Sequence, residues 1–355
     1  MVMIFDSRRA RNLIAQFTHS KPWDRPYSVV FATTPEFGSE RGYVEHVLTS
    51  APRKHCIRWS KGLLTRSNAT FVATWFEVML FGWLREFSSV TIEPTLRSGH
   101  PDFLVEINDR EIYIEAAVYL LSEEERAEGR YVSQVFSLIR TLHHPYVVNV
   151  NLLDVQRDIS ERRFLAAVDA WLSSSPTEFF LYEETNGNRI GLEADPSPSG
   201  RPQTYAIRSS DLNTDHTQLE RTLRKKAAKY REIRYDHPYV IALYTQSSVF
   251  SARDVAAAWL GREQVVIDTN SEKVINVRFD RTGIHFHMDE IRHTSVTGTL
   301  VFRTQHNPDL DRRVLDASYI QNPFCGIEVD TSGWPVRRRL IVASRSESGV
   351  EMQWT

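Results

Sequence analysis

Two acidic residues, Asp102 and Glu115, lie at equal sequence distance from an Asn108–Asp109 pair. The alternating segments on either side, Phe103–Ile107 and Glu111–Val118, predict two strands joined by a tight turn at that pair. A hairpin folded about Asn108–Asp109 brings Asp102 opposite Glu115. The neighbours Ile114, Ala116, Ala117 and Val118 read as buried, and a buried acid needs a partner, either a basic side chain or a cation. Magnesium takes hard oxygen ligands, commonly one or two carboxylates completed by water and phosphate. The chemistry such a pair suits is metal-assisted hydrolysis of a phosphodiester. Glu77 is the third candidate, because it interrupts the apolar run Phe71–Leu84. That run belongs to a helix predicted over Asn68–Phe87, with Phe71, Trp75, Val78, Met79 and Trp83 at helical spacing and Ser67 or Asn68 as its cap. A solvated helix glutamate is the plainer reading of Glu77.

Further along, Gln218–Arg234 reads as a strongly basic helix. Arg221, Lys225 and Lys229 follow one another four apart, and Lys226 lies three before Lys229, so these side chains share a face. With Arg224 they form the kind of stripe that meets phosphates. The competing reading is a solvated face balanced by acids elsewhere. Other candidates are weaker. His100 stands in a turn beside Pro101, and His143–His144 have no acid at metal-ligand spacing. His285 and His287 alternate on a predicted strand near Asp289 and read as exposed. There is no Gly-x-Ser-x-Gly elbow and no glycine-rich phosphate loop, so nucleophilic serine chemistry and ATP or NAD use have no support.

A helix carrying Glu77, then a strand, then Pro101–Asp102 at a strand start, then Glu115-Ala116-Ala117 in the next strand resembles the PD-(D/E)XK, or restriction-endonuclease-like, nuclease superfamily. The resemblance spans about residues 71 to 172. The wording PDFLVE and YIEA is similar to that of large, poorly characterised bacterial members, which carry a lysine-rich helix and a proline-led strand further on, as Lys225–Tyr230 and Pro238–Leu243 do here. The resemblance implies that Asp102 and Glu115 bind Mg²⁺ (or Mn²⁺), with Glu77 assisting directly or through water. It implies an endonuclease acting on nucleic acid, DNA first, in defence against foreign DNA or in DNA repair. The chain departs from the pattern at Ala117, where the family's lysine orients the attacking water or stabilises charge on the phosphate. Two explanations compete. Lys226 or Lys229 enters the site from the basic helix, or the protein is a catalytically inactive module that binds nucleic acid or a protein partner without cutting.

The elements around these residues alternate between strands and helices, which predicts an α/β fold with a mixed central sheet flanked by helices. Strands are expected at Tyr27–Thr33, Val90–Leu96, Tyr146–Leu153, Glu178–Glu184, Thr204–Arg208 and Pro238–Thr245. Helices are expected at Asn12–Phe17, Gly42–Leu48, Ser122–Leu142, Glu161–Leu172 and Ala252–Leu260. The expected organisation is an N-terminal lobe over 1–65, a nuclease-like core over 66–262 with a loop-rich insertion near 186–215, and a β-rich region of mostly short strands over 263–355. The 355 residues are 41% hydrophobic and 25% charged, an ordinary globular balance, and a net charge of −2 means that any basic surface is local. Two distant cysteines, Cys56 and Cys325, make neither a disulfide framework nor a zinc site. Charged residues precede any apolar run near the start, and no apolar stretch reaches a membrane-spanning length. These features point to a cytoplasmic protein with no membrane partner; they leave oligomeric state open, with a protein partner or a homo-oligomer as the options.

Overall fold

The fold comes from a computed structural model. It describes residues 3–96, 99–120, 130–131, 134–142, 144, 146–154, 159–174, 179–196, 203–206, 216–229, 237–246, 251–261, 263–267, 274–279, 283–287, 290–291, 293–307, 312–346 and 349–355. Five helices open the chain: α1 (Arg8–Ala15), α2 (Tyr27–Thr33), α3 (Gly38–Ser50), α4 (Arg53–Leu63) and α5 (Asn68–Arg85). Next come β1 (Ser89–Ile92), β2 (Phe103–Ile107), β3 (Arg110–Tyr119), β4 (Tyr146–Asp154), α6 (Glu161–Ser173), β5 (Phe180–Glu183), β6 (Arg189–Pro196) and β7 (Gln203–Ala206). The chain then continues through α7 (His216–Ala227), β8 (Tyr239–Thr245), α8 (Ala252–Leu260), β9 (Glu263–Ile267), β10 (Val274–Phe279), β11 (Phe286–His287), β12 (Glu290–Ile291), β13 (Gly298–Asn307), β14 (Arg312–Gln321), β15 (Arg338–Ser346) and β16 (Gly349–Trp354).

Backbone contacts divide the chain into two units, where the sequence pattern predicts three regions. The first unit comprises 1–16, 26–120 and 214–355, and the second comprises 17–25 and 121–213. The first unit is built on a ten-stranded mixed sheet of order β1-β2-β3-β8-β13-β14-β15-β16-β10-β9. The strands expected as a separate C-terminal region therefore continue the core sheet. β8 is the hinge of this continuity, parallel to β3 on one side and to β13 on the other. Its seven residues are all buried, as a strand covered on both faces requires.

Consecutive strand residues face opposite sides, so the sheet has two distinct covers. On one face lie Ala117, Ile241, Leu243, Val301, Ile320 and Leu340, packed beneath Leu219, Leu223 and Ala227 of α7 and Val255 and Trp259 of α8. On the other face α5 stacks aromatics on Phe103, Tyr244 and Phe302. Phe76 lies 5.3 Å from Tyr244, Trp83 meets Phe302 edge-on at 5.0 Å, and Phe81 stacks on Phe103 at 6.3 Å. α5 is buried over most of its surface, as an apolar sequence broken chiefly by Glu77 demands. α3 crosses it at Gly82, where a Cβ would stand 2.6 Å from the Tyr43 hydroxyl and 2.8 Å from Val47.

Several expectations are corrected. Tyr27–Thr33 is helical, because Pro26 is preset at φ −56° and its carbonyl accepts from both Val29 and Val30. The segment alternates enough to read as a strand, yet a helical turn is what buries Ser28, Val29 and Phe31 together. β1 stops at Ile92 because Glu93 turns into the left-handed region at φ 50°. The loop-rich insertion contains a strand, β6, at the centre of its sheet. β13 and β14 are ten residues each and pair along their whole length, which is longer than the short strands expected.

The second unit holds the four-stranded sheet β5-β6-β4-β7. Phe164, Val168 and Leu172 of α6 close its core against Val148, Val150, Ile190 and Leu192. Of the helix expected over Ser122–Leu142, residues 130–131 and 134–139 are helical, and 122–129 and 132–133 lie outside the described residues. No helix among the described residues is long and apolar enough to cross a membrane.

Candidate active site

The site is organised by one turn. Asn108 and Asp109 both have positive φ, 51° and 60°, the conformation of a two-residue hairpin loop whose twist matches the strands. This turn fixes the β2–β3 register, with Ile107 opposite Arg110 and Phe103 opposite Ile114. Asp102 and Glu115 are the next pair in that register. β2 ends its pairing there, while β3 runs on alongside β8 to Tyr119. The result is a notch beside β3. Asp102 caps it by accepting a hydrogen bond from the Ala116 backbone N–H at 2.8 Å through Oδ2.

The notch is hostile to negative charge. Burial, then the facing Glu115 carboxylate, push the Asp102 carboxyl up to about 7, with Glu77 adding to the rise. The Lys226 ammonium and the Ala116 N–H oppose it without cancelling it. Glu115 is fully buried. Its Oε1 accepts from Lys226 Nζ at 2.6 Å and from Lys229 Nζ at 2.7 Å. Its Oε2 is buried with no hydrogen-bond partner among the described residues.

Both lysines arrive from α7 and the turn after it. Leu219, Leu223 and Ala227 form the buried stripe of α7, spaced four apart as helix packing requires. That stripe sets the helix on the sheet face carrying Glu115 and Ala117. Lys226 is on the last turn of α7, and Lys229 follows in a turn whose N–H donates to the Lys226 carbonyl at 3.1 Å. Tyr239 donates its hydroxyl hydrogen to the same carbonyl at 3.0 Å, so β8 pins the helix end. Ala117 is buried beneath this helix at 3% exposure. Ala117 also lines the cavity that Glu115, Lys226 and Lys229 share, so a lysine side chain there would compete with those two amines for the same space.

The remaining sequence candidates fall around this centre. Lys225 lines the same cavity of about 770 Å³, with Glu77, Asp102, Glu115, Lys226 and Lys229. Arg221 is exposed on α7, and exposed Arg224 makes an i,i+4 contact with Glu220 at 3.5 Å. The helix described ends at Ala227, and the candidate positions 230–234 lie outside the described residues. Glu77 reaches the cavity from α5 and is held by partners of its own. Its Oε2 accepts from Arg58 Nη2 at 3.0 Å and Trp59 Nε1 at 2.8 Å. Arg58 also pairs with Glu93. Arg58 and Trp59 escaped the sequence reading because nothing local links α4 to Glu77.

The histidines take other roles. His144 contacts Asp169 of α6 at 2.9 Å, an acidic partner supplied by the fold. His285 is buried rather than exposed, stacked 4.6 Å from Trp259. Asp289 and the side chain of His287 lie outside the described residues.

No group of three His, Cys, Asp or Glu side chains among the described residues is placed to hold a metal ion. The donors present fit a two-carboxylate site instead. Glu115 Oε2 is a buried acceptor without a partner among the described residues, and the Asp102 carboxyl is raised first by burial and then by the facing Glu115 charge, the second of which a cation would relieve. Two carboxylates completed by phosphate and water are a usual magnesium set.

Comparison with known proteins adds no family: no protein-family model, curated protein or solved structure matches the chain.

Proposed function

We propose that the protein is a Mg²⁺- or Mn²⁺-dependent nuclease that hydrolyses phosphodiester bonds of DNA at the Asp102–Glu115 notch. The observation that carries this reading is the convergence of two lysine amines on Glu115, in a chain whose motif otherwise lacks its lysine. Asp102 and Glu115 Oε2 would hold the cation, which supplies Lewis acidity to the phosphate and a lowered pKa to its water. Glu115 orients the Lys226 and Lys229 ammonium groups at the mouth of the notch. These amines offer hydrogen bonds to a phosphate oxygen and stabilise the charge that builds there. Lys225, Arg224 and Arg221 extend positive charge along α7 for neighbouring phosphates. Glu77, held by Arg58 and Trp59, keeps the rim acidic on the α5 side. A setting in defence against foreign DNA or in repair follows the motif resemblance.

The test is incubation of plasmid and single-stranded DNA with and without Mg²⁺, using Asp102→Ala as control. Cleavage that requires the cation and disappears in Asp102→Ala is the expected result. Cleavage retained by Asp102→Ala sinks the assignment. A second reading, a nuclease-like module that binds without cutting, draws on the neutralisation of Glu115 by two ammonium groups. It predicts salt-sensitive DNA binding with no cleavage in either metal.

A further inference from the structure

α5 walls a second cavity of about 250 Å³ in the same unit. Ala69, Ala73 and Glu77 line the notch cavity, whereas Phe71, Val72 and Trp75 line this one. The two cavities also reach neighbouring strand ends, one at Val118 and the other at Tyr244, which are register partners. The second cavity is walled by rings. Phe31 lies 5.5 Å from Phe37 and 5.6 Å from Phe71, and Trp75 lies 5.3 Å from Tyr244.

A charged device is set into this aromatic wall. Glu40 of α3 is 2% exposed. It accepts from Arg313 Nε at 2.8 Å, Arg313 Nη2 at 3.1 Å and Trp75 Nε1 at 3.0 Å. A buried ion pair is poor evidence of stabilisation, because desolvation offsets the attraction. Here it fixes an arginine at the cavity. The Arg313 guanidinium lies 4.7 Å from the Phe37 ring centre, and its side chain keeps 39% exposure. Glu40 engages Nε and Nη2, which leaves the Nη1 hydrogens as donors. The Gln246 amide also lines the space.

Flat apolar walls, fixed donors and an acid already saturated by its own partners select a planar ring bearing hydrogen-bond acceptors. We infer that this cavity binds a nucleobase, stacked among the rings and hydrogen-bonded by Arg313. The choice of a nucleobase among planar heteroaromatic rings rests on the nuclease reading. Its source is either a nucleotide unstacked from a bound polynucleotide or a free nucleotide. Stacking on aromatic side chains tolerates any base, so the cavity adds affinity and placement more than sequence choice.

The test uses the full chain in metal-free buffer with two probes, free 2-aminopurine nucleotide and a single-stranded oligonucleotide containing 2-aminopurine. Val30→Trp fills the cavity while leaving the Glu40–Arg313 pair intact. Phe37→Leu removes one half-exposed ring at similar volume and guards against a folding failure in the first variant. The wild-type chain is expected to quench probe fluorescence, and each variant to bind the quenched probe roughly tenfold or more weakly, the scale of one lost base stack. Quenching of the oligonucleotide alone assigns the source to a polynucleotide, and quenching of the free nucleotide assigns it to a mononucleotide. Equal quenching and affinity in wild type and both variants overturns the inference. Mg²⁺-dependent plasmid cleavage, read separately, keeps the two readings apart. A chain that quenches without cutting loses the nuclease reading and keeps this cavity, and a chain that cuts without quenching does the reverse.

Discussion

The β2–β3 hairpin and helix α7 both bring charge to Glu115, but they hold it by different means. The hairpin fixes its acids through backbone: two left-handed turn residues set the register, and the register sets Asp102 opposite Glu115. α7 fixes its lysines through packing: Leu219, Leu223 and Ala227 seat the helix, and the amines follow from its last turn. Charge placed by a ladder is insensitive to side-chain volume around it. Charge placed by a packed stripe moves when the stripe changes. The two regions should therefore fail in different ways when altered.

The largest effect is expected from the hairpin. Asp102→Asn preserves the shape and removes the charge, and single-turnover cleavage should fall on the order of 10²–10³-fold, as for loss of one preorganised electrostatic group. Unfolding by urea should show no loss of stability in the same variant. Next comes the lysine pair. Because both amines serve one carboxylate oxygen, Lys226→Met and Lys229→Met should each cost less than half of what the double variant costs in stability, a coupling that a double-mutant cycle measures. The double variant strands a buried carboxylate and should lose about 3 kcal/mol.

Packing changes sharpen the contrast further. Leu223→Ala should cost roughly 2–5 kcal/mol and lower cleavage although it touches no substrate. A change of equal cost within the other unit, such as Leu192→Ala, should leave cleavage unchanged in the fraction that remains folded. Ala117→Lys supplies the lysine that the motif lacks, from a position 3% exposed between α7 and the notch cavity. It should cost about 1–3 kcal/mol and should not rescue the double lysine variant in the cleavage assay.

The last expected effect concerns pH and is read on stability alone. Asp102 has its carboxyl raised from 3.8 to about 7 in the folded chain. The protonated acid is favoured by folding, so its contribution is fully present below about 3.8 and is lost as pH rises through about 7. In metal-free buffer, Asp102→Asn should melt higher than wild type at pH 8, and the gap should close as pH falls toward 4. Differential scanning calorimetry across that window checks the sign.

The hairpin half of the site was legible in the chain because its information is local. Asn108–Asp109, the alternation around it and the symmetric placement of Asp102 and Glu115 lie within one short segment. The lysines were legible only as a basic stripe. Their arrival at Glu115 depends on β8 lying parallel to β3 and on Tyr239 holding the Lys226 carbonyl, neither of which has a signature near residue 226. Arg58 and Trp59 were invisible for the same reason, since their link to Glu77 exists only once α4 packs on α5. Tyr27–Thr33 misled in the opposite direction. Its alternation masked the helix-starting Pro26, and the burial of Ser28, Val29 and Phe31 decided the outcome. The continuity of the sheet through β13 was hidden because long-range parallel pairing leaves no periodic trace that distinguishes it from a separate domain.

The central claim is that Lys226 and Lys229 occupy the chemical role that Ala117 leaves empty. The most direct measurement is the single-turnover rate of Mg²⁺-dependent cleavage by the Lys226→Met/Lys229→Met variant, with DNA affinity measured alongside at fixed salt. A rate lowered on the order of 10²-fold, with affinity reduced far less, is the predicted result. A folded double variant that cuts as fast as the wild type would contradict it.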